Sequence, residues 1–125
     1  MCQTVAISAG RTFFRYGLLG GTTVGIGGFE RHGPDALLRS LCVAPRLHRR
    51  GIGRNMALLL MRRAFDRGAR RAFAFAGTPE AAAFFRALRF VEISRDAAPA
   101  SILATRQATA LCPASAPLLT RPIAL

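Results

Sequence analysis

The spacing of apolar residues is most regular in the middle of the chain, where it follows the period of an α-helix. Five apolar residues there fall on one face of such a helix. They are Ile52, Met56, Leu59, Leu60 and Ala64. The pattern stops at Gly68, a residue that suits the left-handed conformation in which many helices end. We therefore predict an amphipathic helix between Gly51 and Gly68.

Extended patterns precede this helix and predict an antiparallel meander. Residues 11–19, 22–29 and 36–43 form three apolar or β-prone runs. Turn residues separate these runs at positions 20–21 and 31–34, as in successive hairpins. Residues 1–10 carry little pattern, and we expect a loose lead-in or a short edge strand there.

Alternating strand and helix patterns follow the central helix. Residues 70–76 predict a strand parallel to 36–43, because a helix connects the two. Thr78 suits the N-cap of a second helix over residues 79–88, and Pro79 suits its first position. We expect four of its residues to face inward: Ala83, Phe84, Ala87 and Leu88. Residues 90–94 and 116–123 predict further strands, with a short helix within 100–110. The fold class is α/β (α+β).

Composition limits the possible functions. A chain of 125 residues with 51% hydrophobic content predicts one folded domain rather than a disordered segment. The formal charge of +12 comes from 18 arginines and no lysine, and it favours polyanionic ligands, either nucleic acid or a phosphorylated cofactor. Arginines at 62–71 are expected to form a solvated helix face. Three cysteines without a C-x-x-C spacing predict reduced thiols, a cytoplasmic protein and no metal site. We expect no signal peptide and no membrane span.

The start of the central helix has the composition of an anion site. Gly51-Ile52-Gly53 follows a basic loop, and first-turn N–H groups with a positive dipole end favour a phosphate. Arg49, Arg50 and Arg54 add positive charge around this position. The local pattern alone fits an ordinary turn and helix equally well.

The wider motif V-x-P-x-x-x-x-R-G-x-G resembles the acetyl-coenzyme A motif of the GNAT superfamily of N-acetyltransferases. That family has Arg or Gln, two residues, Gly, one residue, and Gly or Ala, and this chain has His48, Gly51 and Gly53. The segment 84–90 resembles the family's F-Y-x-x-L-G-F. The tail resembles that of the arsenic-resistance N-acetyltransferase branch. Its markers are Arg95, Asp96, Pro99, Ile102, Thr105, Leu111, Cys112, Pro113 and Ser115.

The resemblance implies a mixed, mostly antiparallel sheet with a central cofactor-binding helix, and it implies that the family's N-terminal strand and helices are missing. It also implies an acetyl-coenzyme A site in which the pantetheine arm lies between residues 41–43 and 73–76. A backbone N–H near Val43 would polarise the thioester. The expected cofactor-binding residues are Leu41, Cys42, Val43, Arg49, Arg50, Gly51, Ile52, Gly53 and Arg54. The implied activity is direct acetylation of a small-molecule amine, with an amino-acid-like or arsenic-containing acceptor.

Several positions depart from the family or leave a role open. The tyrosine that often protonates the leaving thiolate falls at Phe85, and the family's glycine falls at Arg89, where strain is expected. The missing helices fit a misplaced start codon, a truncated gene or a lid supplied by a partner subunit. Glu30 and His32 are candidate bases, acting directly or through water, or they are surface turn residues.

Cys112 and Ser115 have no His or Asp partner at a motif spacing, so we expect packing roles for them. Capture of trivalent arsenic by Cys42 and Cys112 is chemically feasible, although their spacing does not support it. Two alternative functions stay open: a degenerate GNAT domain that binds coenzyme A or a partner without turnover, and a basic nucleic-acid-binding module, which lacks a DNA-binding signature. A homodimer is compatible with an exposed substrate side.

Overall fold

The computed structural model describes residues 2–8, 11–17, 23–44, 51–105, 108–109 and 115–124. Within these ranges the secondary structure runs in the following order. The elements are β1 (Cys2–Ser8), β2 (Arg11–Gly17), β3 (Thr23–His32), β4 (Asp35–Val43), α1 (Ile52–Asp66), β5 (Arg71–Phe75), α2 (Pro79–Ala87), β6 (Val91–Ile93), a single 3₁₀ turn (Arg95–Ala97), α3 (Ala100–Leu103) and β7 (Leu118–Pro122).

The strands form one sheet in the order β1-β2-β3-β4-β5-β7-β6. Neighbouring strands are antiparallel except β4 and β5, which α1 connects in parallel. The predicted mixed, mostly antiparallel α/β fold is confirmed. One expectation needs correction, because Cys2–Ser8 forms a strand at the sheet edge where the family's first strand was expected to be missing. No helix precedes β4 in the described parts of residues 2–44.

Helices α1 and α2 cover one face of the sheet and enclose the larger core. Met56 and Leu60 of α1 are fully buried in one cluster with Tyr16 and Phe29 from the meander. Burying a side chain of this size contributes about 1.5–3 kcal/mol. A smaller core lies on the opposite face, where Ile102 of α3 joins other buried residues. These are Leu37, Phe73, Phe75 and Leu118.

The predicted inward face of α1 is confirmed at Met56, Leu60 and Ala64 but not at Leu59, and the phase of α2 differs from the prediction. Leu59 was expected in the core but is 38% exposed, whereas Ala57 and Met61 are buried. In α2 the buried residues are Ala82, Phe85 and Leu88, while Ala83 and Ala87 are exposed and Phe84 is half-buried. The run of alanines in α2 fits several phases, so its own periodicity could not select one. The contact of Phe85 with Phe90, at 5.1 Å between ring centroids, orients the helix.

A residue with a left-handed backbone conformation follows α1, and another follows α2, at the positions that the sequence indicated. Gly68 follows α1 with a φ of 101°, and the N–H of Ala69 donates to the Ala64 carbonyl. Arg89 follows α2 with a φ of 69°, and the N–H of Phe90 donates to the Phe85 carbonyl. A glycine adopts this conformation without strain, whereas an arginine does not. The expected strain at Arg89 is therefore confirmed.

Candidate functional site

The pairing between β4 and β5 stops halfway along β4. It covers only three residue pairs, from Asp35 with Arg71 to Leu37 with Phe73. Beyond this point β4 stays paired with β3 as far as Val43, and the end of β5 pairs with β7. The two strands thus share a ladder at one end and separate toward the other. We call this opening between residues 38–43 and 74–76 the β4–β5 split.

A bulge in β4 accounts for the separation. Ile26 lies opposite Cys42, but Gly28 lies opposite Arg39, so β4 has an additional residue at this point. An extra residue on one strand bends it and increases its twist. Gly27 sits at the bulge, where a Cβ atom would stand 2.9 Å from Leu41 Cδ1. The missing side chain on β3 therefore makes room for the bend of β4.

A second glycine fixes the far end of β4. A Cβ atom on Gly25 would lie 2.5 Å from the Cys42 carbonyl oxygen and 2.7 Å from Met56 Sδ. Real Cβ contacts are essentially never this short. Only glycine allows β3, β4 and α1 to approach so closely, which holds residues 42–43 against the helix. The glycine-rich pattern of β3 was the sequence signal for this contact.

The start of α1 lies beside the open end of the split. Gly51 is its N-cap with a φ of 75°, no side chain caps the first turn, and that turn contains no acidic residue. A Cβ on Gly53 would stand 3.4 Å from Val43 Cγ2 and 3.2 Å from Phe84 Cε1. Among the described residues, the first-turn amides therefore have no side-chain cap. This arrangement can bind an anion at the helix start and an extended chain along β4.

The structure brings most of the predicted cofactor residues together. Leu41, Cys42 and Val43 form the open end of β4, while Gly51 to Arg54 form the first turn of α1. Cys42, Gly51 and Arg54 are exposed, whereas Leu41, Val43, Ile52 and Gly53 are half-buried. The predicted Arg49 and Arg50 lie outside the described residues, as does His48.

The two candidate bases lie toward the other end of β4. Glu30 is opposite Leu37, the last residue paired with β5, and its carboxylate accepts a 2.7 Å hydrogen bond from buried Arg39. His32 is opposite Asp35, and its Nε2 atom is enclosed without a hydrogen-bond partner in the described structure. At about 3.3 Å per residue, Asp35 is roughly 25 Å along the strand from Val43. Glu30 is thus at the closed end of the split, and His32 is beyond it.

Arg39 is a residue of this region that sequence reasoning did not assign. It lies in an otherwise apolar strand, and a charged residue there was the signal that a buried partner exists. Its ion pair with Glu30 joins β3 to β4 beside the bulge. Because this ion pair is buried between β3 and β4, Glu30 has a structural function, whether or not it also acts in catalysis.

The side chain of Phe85 packs against other aromatic rings and has no proton to donate. It is 8% exposed and makes edge-to-face contacts with Phe84 and Phe90, at 5.2 and 5.1 Å between ring centroids. Phe84 is the aromatic residue beside the start of α1. Neither side chain can donate a proton to a leaving group.

A cleft of about 330 Å³ lies on the other side of β5. We call it the β5–α2 cleft. Its lining consists of the residues after β5, one side of α2 and the segment before β7, namely Ala76, Gly77, Thr78, Pro79, Ala82, Arg86, Ser115, Ala116 and Pro117. Sequence reasoning missed it, because its two walls are far apart in the chain and carry no shared motif.

The tail residues that suggested the arsenic-resistance branch pack the smaller core. Ile102 is fully buried, and the Thr105 hydroxyl donates to the Ile102 carbonyl. Arg95 donates to the Ala116 carbonyl and lies 4.9 Å from the centroid of the Phe75 ring. Leu111, Cys112 and Pro113 fall outside the described residues. The described markers thus have structural contacts of their own.

Several arginines at 62–71 are not simply solvated. Arg67 lies 5.9 Å from the Phe14 ring centroid and 5.7 Å from that of Phe29, and Arg70 lies 4.0 Å from that of Phe65. These cations make stabilising contacts with the aromatic rings. Arg67 and Arg70 are exposed, as expected for a solvated face, and these two arginines also contact aromatic rings. Among the described residues, no helix is long and apolar enough to cross a membrane, and no cluster of three His, Cys, Asp or Glu residues could bind a metal.

A comparison with family models matches residues 3–90 to the model described as "Acetyltransferase (GNAT) family". This match runs from β1 through α2, and thus covers both the split and the start of α1. A search of curated proteins found no match.

Solved structures with the same architecture span several organisms. An acetyltransferase from Thermus thermophilus is 26% identical with a TM-score of 0.63, covering 90% of this chain and 64% of that one. Tetrahymena GCN5 is 13% identical with a TM-score of 0.74, covering 94% and 71%. N-acetylglutamate synthase from Neisseria gonorrhoeae, complexed with coenzyme A and N-acetyl-glutamate, is 17% identical with a TM-score of 0.72, covering 93% and 26%.

Proposed function

The chain belongs to the acetyltransferase (GNAT) family, and from that premise we propose that it transfers the acetyl group of acetyl-coenzyme A to the amine of a small molecule. Members of this family use acetyl-coenzyme A as a co-substrate. One observation carries the proposal to this chain: the β4–β5 split opens directly beside the first turn of α1. A strand edge and a set of helix N–H groups together match a pantetheine arm joined to a diphosphate.

The first turn of α1 would bind the diphosphate. The amides of Ile52, Gly53 and Arg54 point out of the N-terminal end of a 15-residue helix whose dipole favours negative charge. Arg54 is exposed at this position and would add a mobile charge, as would Arg49 and Arg50. Gly51 has the left-handed conformation that begins the turn. The residues present therefore fit the group.

The open edge of β4 would orient the thioester. Leu41, Cys42 and Val43 form a strand end that has no β5 partner, so its edge can pair with the amide groups of the pantetheine arm. A backbone N–H near Val43 would stabilise negative charge on the carbonyl oxygen as the amine attacks, an effect worth about 3–4 kcal/mol where a single donor is removed. Positioning would supply much of the remaining rate.

The chain offers fewer suitable side chains for proton transfer than for cofactor binding. Glu30 and His32 stay candidates for the base, and the distance along β4 requires intervening water for either one. Phe85 leaves the departing thiolate without a side-chain donor at that position, so solvent would protonate it. If the acceptor amine binds in its neutral form, the need for a base and the need for a side-chain proton donor both become less stringent.

The acceptor is proposed to be amino-acid-like or arsenic-containing. This finer assignment rests on the resemblance of the tail to the arsenic-resistance branch. Among the described tail markers, Ile102 and Thr105 pack at the smaller core, whereas Ser115 lies beside the β5–α2 cleft, so the resemblance covers supporting residues and one residue next to a candidate ligand space.

A domain that binds coenzyme A without turnover is the alternative. Two observations favour it, namely the phenylalanine at position 85 and the engagement of Glu30 by Arg39. Such a domain would retain the split and the helix start, and it would lack productive transfer to any amine.

Calorimetry with acetyl-coenzyme A, followed by a thiol-release assay over a panel of primary amines, separates these functions. Binding heat together with amine-dependent thiol release supports the transferase. Heat without release from any amine supports the binding domain. The absence of heat would contradict both.

A further inference from the structure

We propose that the β5–α2 cleft receives the acceptor, and that the acceptor carries an anionic group which pairs with the Arg86 guanidinium. This inference rests on the proposed function, because it adds the acceptor class to a transferase. Nothing in the GNAT assignment or in the cofactor residues specifies this cleft.

The size and lining of the cleft suit a small molecule. Its volume of about 330 Å³ is at the low end of the range found for small-molecule sites, about 300–1,000 Å³. Ala76, Ala82 and Ala116 form its buried part and are each less than a tenth exposed. The small alanine side chains leave the volume empty, and they present a short apolar surface to a ligand of a few carbon atoms.

Polar groups lie at the rim of the cleft. The Thr78 hydroxyl accepts from the Ala81 N–H, so its own proton can be donated to a ligand. Ser115 is exposed on the opposite wall. Apolar depth with a few rim donors is the usual construction of a site that orients a small polar ligand.

Among the described residues that line the cleft, one side chain is charged, and it is a cation. Arg86 donates to Glu92 at 3.0 Å, and the side chains of both residues are 53% exposed. Exposed ion pairs of this kind are weak, and a guanidinium has five N–H donors, so Arg86 can bind a second anion or exchange the first. An amine acceptor without an anion would meet an unfavourable positive charge. The lining therefore selects for a carboxylate or a similar oxyanion.

The cleft is adjacent to the proposed position of the thioester. β5 forms one side of the split, and the residues that follow it, Ala76 and Gly77, form one wall of the cleft. A Cβ atom on Gly77 would meet nothing within 4 Å, so the space above the end of β5 is open. Arg86 is paired with Glu92 of β6, and β7 lies between β6 and β5, so an acceptor anchored at Arg86 would have to extend its amine over more than one strand spacing of about 4.8 Å to reach the split.

The experiment compares probes that share a skeleton and differ in charge. Backbone amide shifts of the full chain are followed by NMR during titration with β-alanine, β-alaninamide and 2-aminoethylphosphonate. We expect the two anionic probes to shift Gly77, Thr78 and Ser115, and we expect β-alaninamide to bind about tenfold more weakly, the effect of one charge-assisted hydrogen bond. A response to 2-aminoethylphosphonate alone would support the anion site and assign it to phosphonate-like oxyanions.

Three variants identify the side chain responsible. Arg86→Gln should weaken β-alanine about tenfold and leave β-alaninamide unchanged. Glu92→Gln should strengthen β-alanine by about two- to fivefold, because it removes the competing carboxylate. Arg62→Gln is the matched control, since Arg62 also forms an exposed ion pair, with Asp66, and should change neither affinity.

Binding and turnover are measured separately, so the two proposals can fail independently. Charge-dependent shifts at the cleft without thiol release would support the anion site and oppose acetyl transfer. Thiol release that is equal for β-alanine and β-alaninamide, with no effect of Arg86→Gln, would support transfer and overturn the inference. Shifts located away from residues 76–86 and 115–117, or no shift with any probe, would overturn it too.

Discussion

Val43 and Gly53 lie against each other, although the basic loop separates them in the sequence: Val43 Cγ2 is 3.4 Å from the position of a Cβ on Gly53. The end of β4 and the first turn of α1 therefore form one continuous surface. A ligand paired with the edge of β4 would reach the helix N–H groups without a change of direction.

Gly53→Leu should abolish or greatly weaken acetyl-coenzyme A binding. The new side chain would meet Phe84 and Val43 and would fill the space in front of the helix N–H groups. We expect an affinity loss of about tenfold or more in calorimetry. Ala104→Leu is a control for added bulk, because Ala104 is exposed at the end of α3 and lines neither the split nor the β5–α2 cleft. An unchanged titration for Gly53→Leu would remove the proposed diphosphate position.

Gly25→Ala should strongly destabilise the fold. Its Cβ would overlap the Cys42 carbonyl oxygen and Met56 Sδ, so β4 and α1 would have to move apart. We expect a loss of about 2 kcal/mol or more in the free energy of unfolding, measured by urea denaturation. Adding Met56→Ala should recover only part of the loss, because the carbonyl contact remains. A neutral effect would show that β4 can shift, and that the split is not fixed in place.

Arg39→Ala should be more destabilising than Glu30→Gln. The alanine variant leaves a buried carboxylate without its cation and removes a large buried side chain, which costs about 3–5 kcal/mol, whereas the glutamine variant keeps the side-chain volume and a hydrogen bond from the uncompensated Arg39 cation and should cost less. Urea denaturation at pH 7 measures both free energies of unfolding. The same Glu30→Gln variant tests chemistry when it is assayed under conditions in which it is fully folded, since loss of a base lowers kcat. Equal destabilisation by the two variants would contradict the burial argument.

Arg89→Gly should stabilise the protein. The left-handed conformation is unfavourable for arginine by about 1–2 kcal/mol, and part of the gain is offset by the greater freedom of glycine in the unfolded chain. We expect a net gain of about 0.5–1 kcal/mol in thermal or urea unfolding. Ala87→Gly, within α2, is the matched control and should destabilise by a similar amount. A loss of stability in Arg89→Gly would mean that the arginine side chain makes a contact more valuable than the strain.

Local chemistry was sufficient to predict the element order. Thr78 and Pro79 placed the start of α2, and Gly68 placed the end of α1, because caps depend on residues next to each other in the chain. The phase of α2 could not be predicted in the same way, since its alanines fit several faces and the selecting contact comes from Phe90.

The functional site also has one part that the local sequence predicts and one part that depends on contacts between distant segments. The start of α1 was predictable because Gly51 and Gly53 lie in a local motif. The three-residue length of the β4–β5 ladder, the Glu30–Arg39 pair and the β5–α2 cleft each depend on segments that meet only in the folded chain. Arg39 within an apolar strand and the glycines of β3 were the local signs that these segments meet.

The stacked guanidinium groups have a chemical consequence for an enzyme that handles an activated acyl donor. Arg67, Arg70 and Arg95 cover aromatic rings, and every one of the chain's 18 cationic side chains is an arginine. Lysine is a ready target of acylation, whereas arginine stays protonated and is a poor nucleophile at neutral pH. The basic surface of this sequence is therefore inert toward its own reagent, and prolonged incubation with acetyl-coenzyme A should leave its charge and its ring contacts unaltered.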